Sequence, residues 1–263
     1  MPKPIISREN VLYKELKLLA TRPPARRKMG RTLLDGVHLC EAYLQQVGTP
    51  AMCVVSDAGM LNPEVAALVA ECERRQAQCV QLTEPLYRAL SQVENGVDLL
   101  FIVETPEKAV PGRLDHAAVL LDNVQDPGNL GSMLRSAAAA GIMHIYCGGG
   151  TVFAWSPKVL RAGMGAHFLL TIYENVDLEA LIREASVPVL ATSSHASRSI
   201  YEMNLRQPVA WLFGHEGQGV DEKLLEHASE KVAIPHRGAM ESLNVAASAA
   251  VCFFEQLRQI GES

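Results

Sequence analysis

The sequence predicts an α/β fold with a mostly parallel sheet, on three observations. Short, β-rich apolar runs alternate with helical segments along most of the 263 residues, as in βαβ units. Several of those runs are almost continuously apolar, which fits strands covered on both faces by helices. Hydrophobic residues make up 48% of the chain, enough to build a sizeable core.

Two blocks are expected, preceded by a basic extension. Residues 1–31 hold nine Lys/Arg against Glu9 and Glu15, a local balance of +7. The whole chain is −5, so the remainder carries −12. We therefore set off residues 1–30 as a basic extension able to follow a phosphate backbone. The bland alternative is a solvated helix face with a basic loop. Residues 31–107 form the first α/β block. Its strand-like runs MCVVSD, QCVQL and LLFIVET alternate with the helical GVHLCEAYLQQV, PEVAALVAECERRQA and EPLYRALSQV. The segment 108–115, within the proline- and charge-rich TPEKAVPGRLDH, reads as a linker.

Residues 116–263 form the second block. Its expected strands are AAVLLDNV, HIYCGG, HFLLTIYE, PVLATS, PVAWLFG and KVAIP. Its expected helices are NLGSMLRSAAAA, SPKVLRAG, DLEALIREA, DEKLLEH and SLNVAASAAVCFFEQLRQ. In such sheets ligands bind beyond the carboxyl ends of the strands, so the loops there are searched for chemistry.

Composition narrows the function classes. The apolar runs are broken by Gly, Pro or charge, which argues against a membrane span. MPKPIISREN lacks the apolar core of a secretory signal, and a cytoplasmic location is expected. The six cysteines (Cys40, Cys53, Cys72, Cys79, Cys147 and Cys252) form no CxxC pair and are expected to be reduced core thiols. No metal site is expected. GxGxxG and GxxxxGK are absent, which weakens dehydrogenase and P-loop readings. His215-Glu216 lacks a zincin's second histidine, since Gly219 stands in its place, and no GxSxG supplies a hydrolase nucleophile. The GGG at 148–150 reads as a turn.

Three polar, glycine-punctuated clusters remain, each after an expected strand. In DNVQDPGNLGSMLRS, Asn129 is placed to cap the following helix, which ends at Gly141. Leu130, Met133, Leu134, Ala137 and Ala138 form the buried stripe of that helix, with Arg135 on the flank beside Ser132 and Ala139. A flank arginine is ordinarily a surface residue or an ion-pair partner. In LFGHEGQGV, three glycines within six residues permit an unusual loop close to a ligand, with Glu216 beside it. In IPHRGAMESLNVAASAA, Ser242 is expected to cap the last helix and Asn244 to lie in its first turn. The small face Ala246, Ala247, Ala249 and Ala250 suits a core or a dimer interface equally.

Together, DPGNLGSMLRSAAAAG, LFGHEGQGV and IPHRGAMESLNVAASAA closely resemble the three motifs of the SpoU/TrmH (SPOUT) RNA ribose methyltransferases, and SPKVLRAGMGAHF resembles a fourth segment of that family. Residues 7–36 are similar to its N-terminal RNA-recognition extension. The resemblance implies a C-terminal α/β domain with a deep trefoil knot and a smaller N-terminal substrate-binding domain resembling a ribosomal protein. It implies S-adenosyl-L-methionine as cofactor, held at Thr192, Gly214, Ile234 and Leu243, largely through backbone groups and apolar walls. It also implies a homodimer.

The resemblance further implies catalysis by Arg135, supported by Asn129, Glu216, Ser242 and Asn244. Arginine is commonly assigned as the base. A guanidinium stays protonated in proteins, so a clamp on phosphate and on developing alkoxide charge is the less costly role. His215 stands where the family more often has Asn, and Asp35 where it has Glu. The expected reaction is 2′-O-methylation of structured RNA, with large-subunit ribosomal RNA favoured over transfer RNA. Arg26, Arg27, Lys28 and Arg31 are the expected phosphate contacts. A catalytically silent RNA-binding assembly factor is the alternative from another class.

Overall fold

The computed structural model describes residues 2–93, 96–238 and 240–261. Two compact units partition the chain: Met1–Pro106 with Trp155–Phe168, and Glu107–Ala154 with Leu169–Ser263.

The first unit contains β1 (Lys3–Ile5), α1 (Val11–Thr21), α2 (Pro23–Met29), β2 (Arg31–Asp35), α3 (Val37–Gln46), β3 (Met52–Ser56), α4 (Pro63–Arg74), β4 (Gln78–Leu82), α5 (Glu84–Arg88) and β5 (Leu99–Glu104). Its sheet has the order β1-β4-β3-β5-β2. Strands β1, β4 and β3 are parallel, whereas β5 is antiparallel to β3 and β2. The Asn10 side chain starts α1 by accepting from the backbone N–H groups of Leu12 and Tyr13 at 2.9 and 3.3 Å. Tyr13, Leu16, Leu19 and Ala20 on α1 then pack on Ile5, Val54, Val80 and Leu82 of the sheet.

This differs from the reading of residues 1–30 as a basic extension ahead of a block that starts at residue 31. β1 is an edge strand of the first sheet, and α1 covers that sheet. Arg26 is corrected with it. The residue is 5% exposed, and its guanidinium donates from Nη1 to the carbonyls of Leu19 and Ala20, at 2.6 and 3.3 Å. It closes the C-terminal end of α1 and is not free to meet phosphate. Arg31 is half-buried beside Glu15, at 3.5 Å, while Arg27 and Lys28 are exposed.

The chain continues with β6 (Ala118–Leu121), α6 (Pro127–Ala139), β7 (His144–Gly148), α7 (Pro157–Gly163), β8 (Thr171–Val176), α8 (Leu178–Arg183), β9 (Val189–Thr192), β10 (Arg198–Ser199), β11 (Ala210–Phe213), α9 (Glu222–His227), β12 (Glu230–Ala233) and α10 (Val245–Gly261). Helix α7 belongs to the first unit, where it packs on β2 and where Thr32 Oγ1 donates to the Trp155 carbonyl at 2.7 Å. The expected strand HFLLTIYE is only partly strand: residues 166–168 form a helical turn, and β8 starts at Thr171.

The second unit has a seven-stranded sheet, parallel throughout, in the order β10-β12-β9-β11-β6-β7-β8. From β6 the chain moves outward through β7 to the edge strand β8. It then crosses to β9, and β11 later fills the place between β9 and β6. The course thus reverses beside β6, the arrangement that opens a crevice at the carboxyl ends of strands. Leu120, Leu212, Val189 and Tyr146 pack with Leu178, Leu181 and Leu224 from α8 and α9. Helix α10 packs on α6 and β11, with Phe253 edge-on to Phe213 at 5.7 Å.

All six cysteines are free thiols, five of them buried. Among the described residues no group of three ligating side chains could hold a metal, and no helix is long and apolar enough to cross a membrane.

Candidate active site

A cleft of about 440 Å³ opens at the carboxyl ends of β9, β11 and β12. Thr192, at the end of β9, donates from Oγ1 to the Leu212 carbonyl at 3.2 Å, which turns its hydroxyl onto the neighbouring strand. Gly214 follows β11. A Cβ there would lie 2.1 Å from the Gly219 backbone, so only glycine lets the two segments meet. The meeting is an antiparallel bridge in which His215 and Gly219 exchange two backbone hydrogen bonds of 2.9 Å. Gly219 has φ +75°, a left-handed conformation that a side chain would strain. The loop 215–219 forms one wall. Ile234, Ser242 and Leu243, on the path from β12 to α10, form another.

At one side of the cleft three distant segments join through polar side chains. The Glu216 carboxylate accepts from the N–H groups of Gln125 and Asp126 at 3.3 and 3.0 Å, and from Asn129 Nδ2 at 3.1 Å. Asn129 Oδ1 in turn accepts from Asn244 Nδ2 at 3.0 Å. Burial pushes the Glu216 carboxyl up, but these donors outweigh it together and hold the group below its ordinary value of 4.5. An ionised carboxylate beside the N-terminus of α6 is also favoured by the helix dipole. The adjacent Asp122 carboxyl is raised by burial and accepts from the Asp221 N–H at 2.8 Å.

Two capping expectations are corrected. Asp126, not Asn129, caps α6, accepting from the Asn129 N–H at 2.7 Å. Asp-Pro at the N-cap and first helical position is a sequence signal that could have found it. Relieved of capping, the Asn129 side chain is free to join Glu216 to Asn244. Asn244, not Ser242, caps α10, since its Oδ1 accepts from Ala246 and Ala247 N–H at 2.9 and 3.2 Å. Ser242 instead lines the cleft. On α6 the buried residues are Leu130, Gly131, Met133, Leu134 and Ala137, with Ala138 only half-buried.

Of the expected catalytic set, Asn129, Glu216 and Asn244 form one network, with Ser242 in the neighbouring wall. Arg135 stands apart. It is exposed on α6, roughly 9 Å further along the axis than Asn129, and lies outside the cleft lining. The expected cofactor positions Thr192, Gly214, Ile234 and Leu243 all line the cleft. Not anticipated were Ser193, His195 and Ser248 in that lining, nor the backbone of Gln125 as a donor to Glu216. Gln125 and Ser248 fall inside two of the quoted motifs, but residue type alone did not single them out there, and Ser193 and His195 lie outside all of the motifs.

The cleft fits S-adenosyl-L-methionine. Its volume lies in the usual range for a small-molecule site, and Phe213, Val232 and Leu243 give apolar walls beside Thr192, Ser193 and exposed backbone. Residues 116–254 match the SpoU rRNA methylase family. The chain is 34% identical to an uncharacterized tRNA/rRNA methyltransferase of Synechocystis sp., over 97% of this chain and 93% of the relative. It is 31% identical to the 23S rRNA (guanosine(2553)-2′-O)-methyltransferase RlmP of Bacillus subtilis, over 96% of this chain and 98% of the relative. An AdoMet-bound rRNA methyltransferase from Sinorhizobium meliloti superposes with a TM-score of 0.85 at 26% identity, with 98% of each chain covered. A cleft built from the loops after β9, β11 and β12, a match over more than half the chain and relatives aligned nearly end to end place this protein in the SpoU rRNA methylase family.

Proposed function

We propose that the protein methylates a ribose 2′-hydroxyl of ribosomal RNA, with S-adenosyl-L-methionine as methyl donor. The observation that carries the reading is the Glu216–Asn129–Asn244 network beside the cleft. It links all three motif loops at the place where a small cofactor and a polar acceptor would meet.

Bound there, S-adenosyl-L-methionine supplies an electrophilic methyl group. The chain's part is to orient the hydroxyl, exclude water and answer developing charge. Thr192, Gly214, Ile234 and Leu243 hold the cofactor through backbone groups and apolar contact. Glu216 is saturated by three donors and has a lowered proton affinity, so it orients Asn129 rather than taking a proton. Asn129, Asn244 and Ser242 present the polar edge to the ribose. Arg135 clamps the neighbouring phosphate with its planar fork and stabilises alkoxide character, while the proton leaves to water or phosphate.

Three further readings belong to this proposal. The last segment of the second unit is threaded as a deep trefoil knot, a reading supported by the late insertion of β11 between β9 and β6. The protein is a homodimer through α10, whose Phe254, Leu257 and Ile260 leave an exposed apolar ridge, each between 40 and 48% accessible. The first unit resembles a ribosomal protein and binds structured RNA, with Arg27, Lys28 and Arg31 as phosphate contacts. Such an enzyme works in the cytoplasm, where ribosomal RNA is exposed during assembly.

The test is methyl transfer from labelled S-adenosyl-L-methionine to purified, unmodified ribosomal and transfer RNA, with Arg135→Ala alongside. Label in ribosomal RNA that the variant abolishes supports the reading. Label in transfer RNA alone would move the substrate class. Cofactor binding with no transfer to any RNA would favour the silent assembly factor.

A further inference from the structure

Within the wall of the cleft, His215 makes contacts that belong to its neutral form. Its Nδ1 accepts from the backbone N–H of Gly217 at 2.9 Å and of Gln218 at 3.2 Å. A neutral imidazole has one accepting nitrogen, so these two donors fix Nδ1 as that nitrogen and place the proton on Nε2. The same residue closes the 215–219 bridge through its own N–H and carbonyl. Side chain and backbone of one residue therefore hold every turn of a loop that also presents Glu216 to Gln125, Asp126 and Asn129.

Asparagine could do the same with its side-chain oxygen, in the local turn that residue type favours. The two differ in one property: an amide does not titrate near neutral pH and an imidazole does. A proton on Nδ1 would turn the acceptor into a donor facing two donors, and both hydrogen bonds would be lost.

We propose that His215 is a positioning residue whose neutral imidazole holds the loop wall of the cofactor cleft, so that its protonation loosens the loop and weakens S-adenosyl-L-methionine binding. The inference rests on the methyltransferase reading for the ligand, but its loop chemistry stands in the free protein.

The charged and titratable surroundings of His215 are mixed. Asp122 lies close enough to interact electrostatically, from the loop after β6, and its carboxyl accepts the Asp221 N–H. Glu216 is the next residue, and Glu222 of α9, His195, His236 and Glu241 line the same cleft. His236 is a poor alternative for the same switch, because its Nδ1 pairs with the Ile234 carbonyl, an acceptor that tolerates a protonated ring. No ring-nitrogen bond to the loop is seen for His195 among the described residues.

The experiment compares the parent protein with His215→Asn and His215→Ala. In the free proteins, amide resonances of Gly217 and Gln218 are followed by NMR from about pH 8 to about pH 5.5. Calorimetry then gives the Kd for S-adenosyl-L-methionine at both limits, and the quantity read is the ratio of the two. In the parent, the Gly217 and Gln218 amides should shift in one step and exchange faster with solvent at the acid end. Its Kd ratio should be on the order of tenfold, the scale of one or two lost hydrogen bonds. His215→Asn should leave both amides flat and reduce the ratio to about two, whereas His215→Ala should weaken binding at both limits. An unchanged ratio in His215→Asn, or amides in the parent that do not titrate, would overturn the inference. Titrating amides with no cofactor binding at either pH would leave the loop chemistry standing but overturn the cofactor reading and the binding half of the proposal.

Discussion

Glu216 and Asn129 are 87 positions apart in the chain, yet Asn129 Nδ2 donates to Glu216 Oε1 at 3.1 Å. That bond joins the loop after β11 to the start of α6, and Asn129 passes the connection on to Asn244 at the start of α10. A wall of the cleft, the start of α10 and the helix bearing Arg135 are thereby held to one another.

Replacing Glu216 tests this joint. In Glu216→Ala the N–H groups of Gln125 and Asp126 are near solvent and can turn to water, so stability should fall by no more than about 1 kcal/mol. Methyl transfer should fall by about a hundredfold or more, because Asn129 and Asn244 lose their anchor. Denaturant melts and single-turnover assays separate the two effects. A large loss of stability with near-normal transfer would contradict the assignment.

The caps give a paired test on the last helix. Asn244→Ala removes the acceptor for two α10 N–H groups and should cost about 1 kcal/mol, read as a lower Tm. Ser242→Ala should leave Tm unchanged, and any effect of it should fall on transfer.

Arg26 and Lys28 lie two positions apart and should behave oppositely. Arg26→Ala leaves the end of α1 without its donors and should destabilise by about 1–3 kcal/mol. Lys28→Ala should spare Tm and weaken RNA binding, lowering the slope of log Kd against log salt by about 0.7–0.9. Equal effects on stability would remove the distinction drawn between buried and exposed basic residues.

His144 predicts an acid-side loss of stability. Its Nδ1 is buried without a partner, and its ring lies 4.0 Å from that of His116. Burial first, then the neighbouring His116 and Lys108, lower its pKa below the ordinary 6.5. The unfolded chain therefore takes up a proton at a pH where the folded chain does not. The stabilisation is fully present above about pH 6.5 and is lost as pH falls toward the depressed folded value. Tm should drop on acidification in the parent and drop less in His144→Asn, a comparison that differential scanning calorimetry makes directly.

Much of this architecture was legible in the sequence. The apolar runs of β3 to β7, β9, β11 and β12 stood out because strands covered on both faces are almost continuously hydrophobic. The N-terminal elements did not, because nine basic residues in 31 masked the buried face of α1, where Leu16 lies between Glu15 and Lys17. The motifs pointed to the cleft, since Gly214, Glu216 and Ser242, which line it, occur in loops after strands. They misassigned the caps, because Ser242 and Asn244 are both capable and only the position of the first helical turn decides between them. The contacts of Arg26 and the Nδ1 partners of His215 depend on the path of the backbone, which residue spacing does not encode.

The most direct test of the central claim is nucleoside analysis of unmodified ribosomal RNA after incubation with the protein and S-adenosyl-L-methionine. The account predicts a 2′-O-methylated nucleoside that is absent from an incubation with Arg135→Ala. A methyl group on a base, or equal methylation by Arg135→Ala, would contradict it.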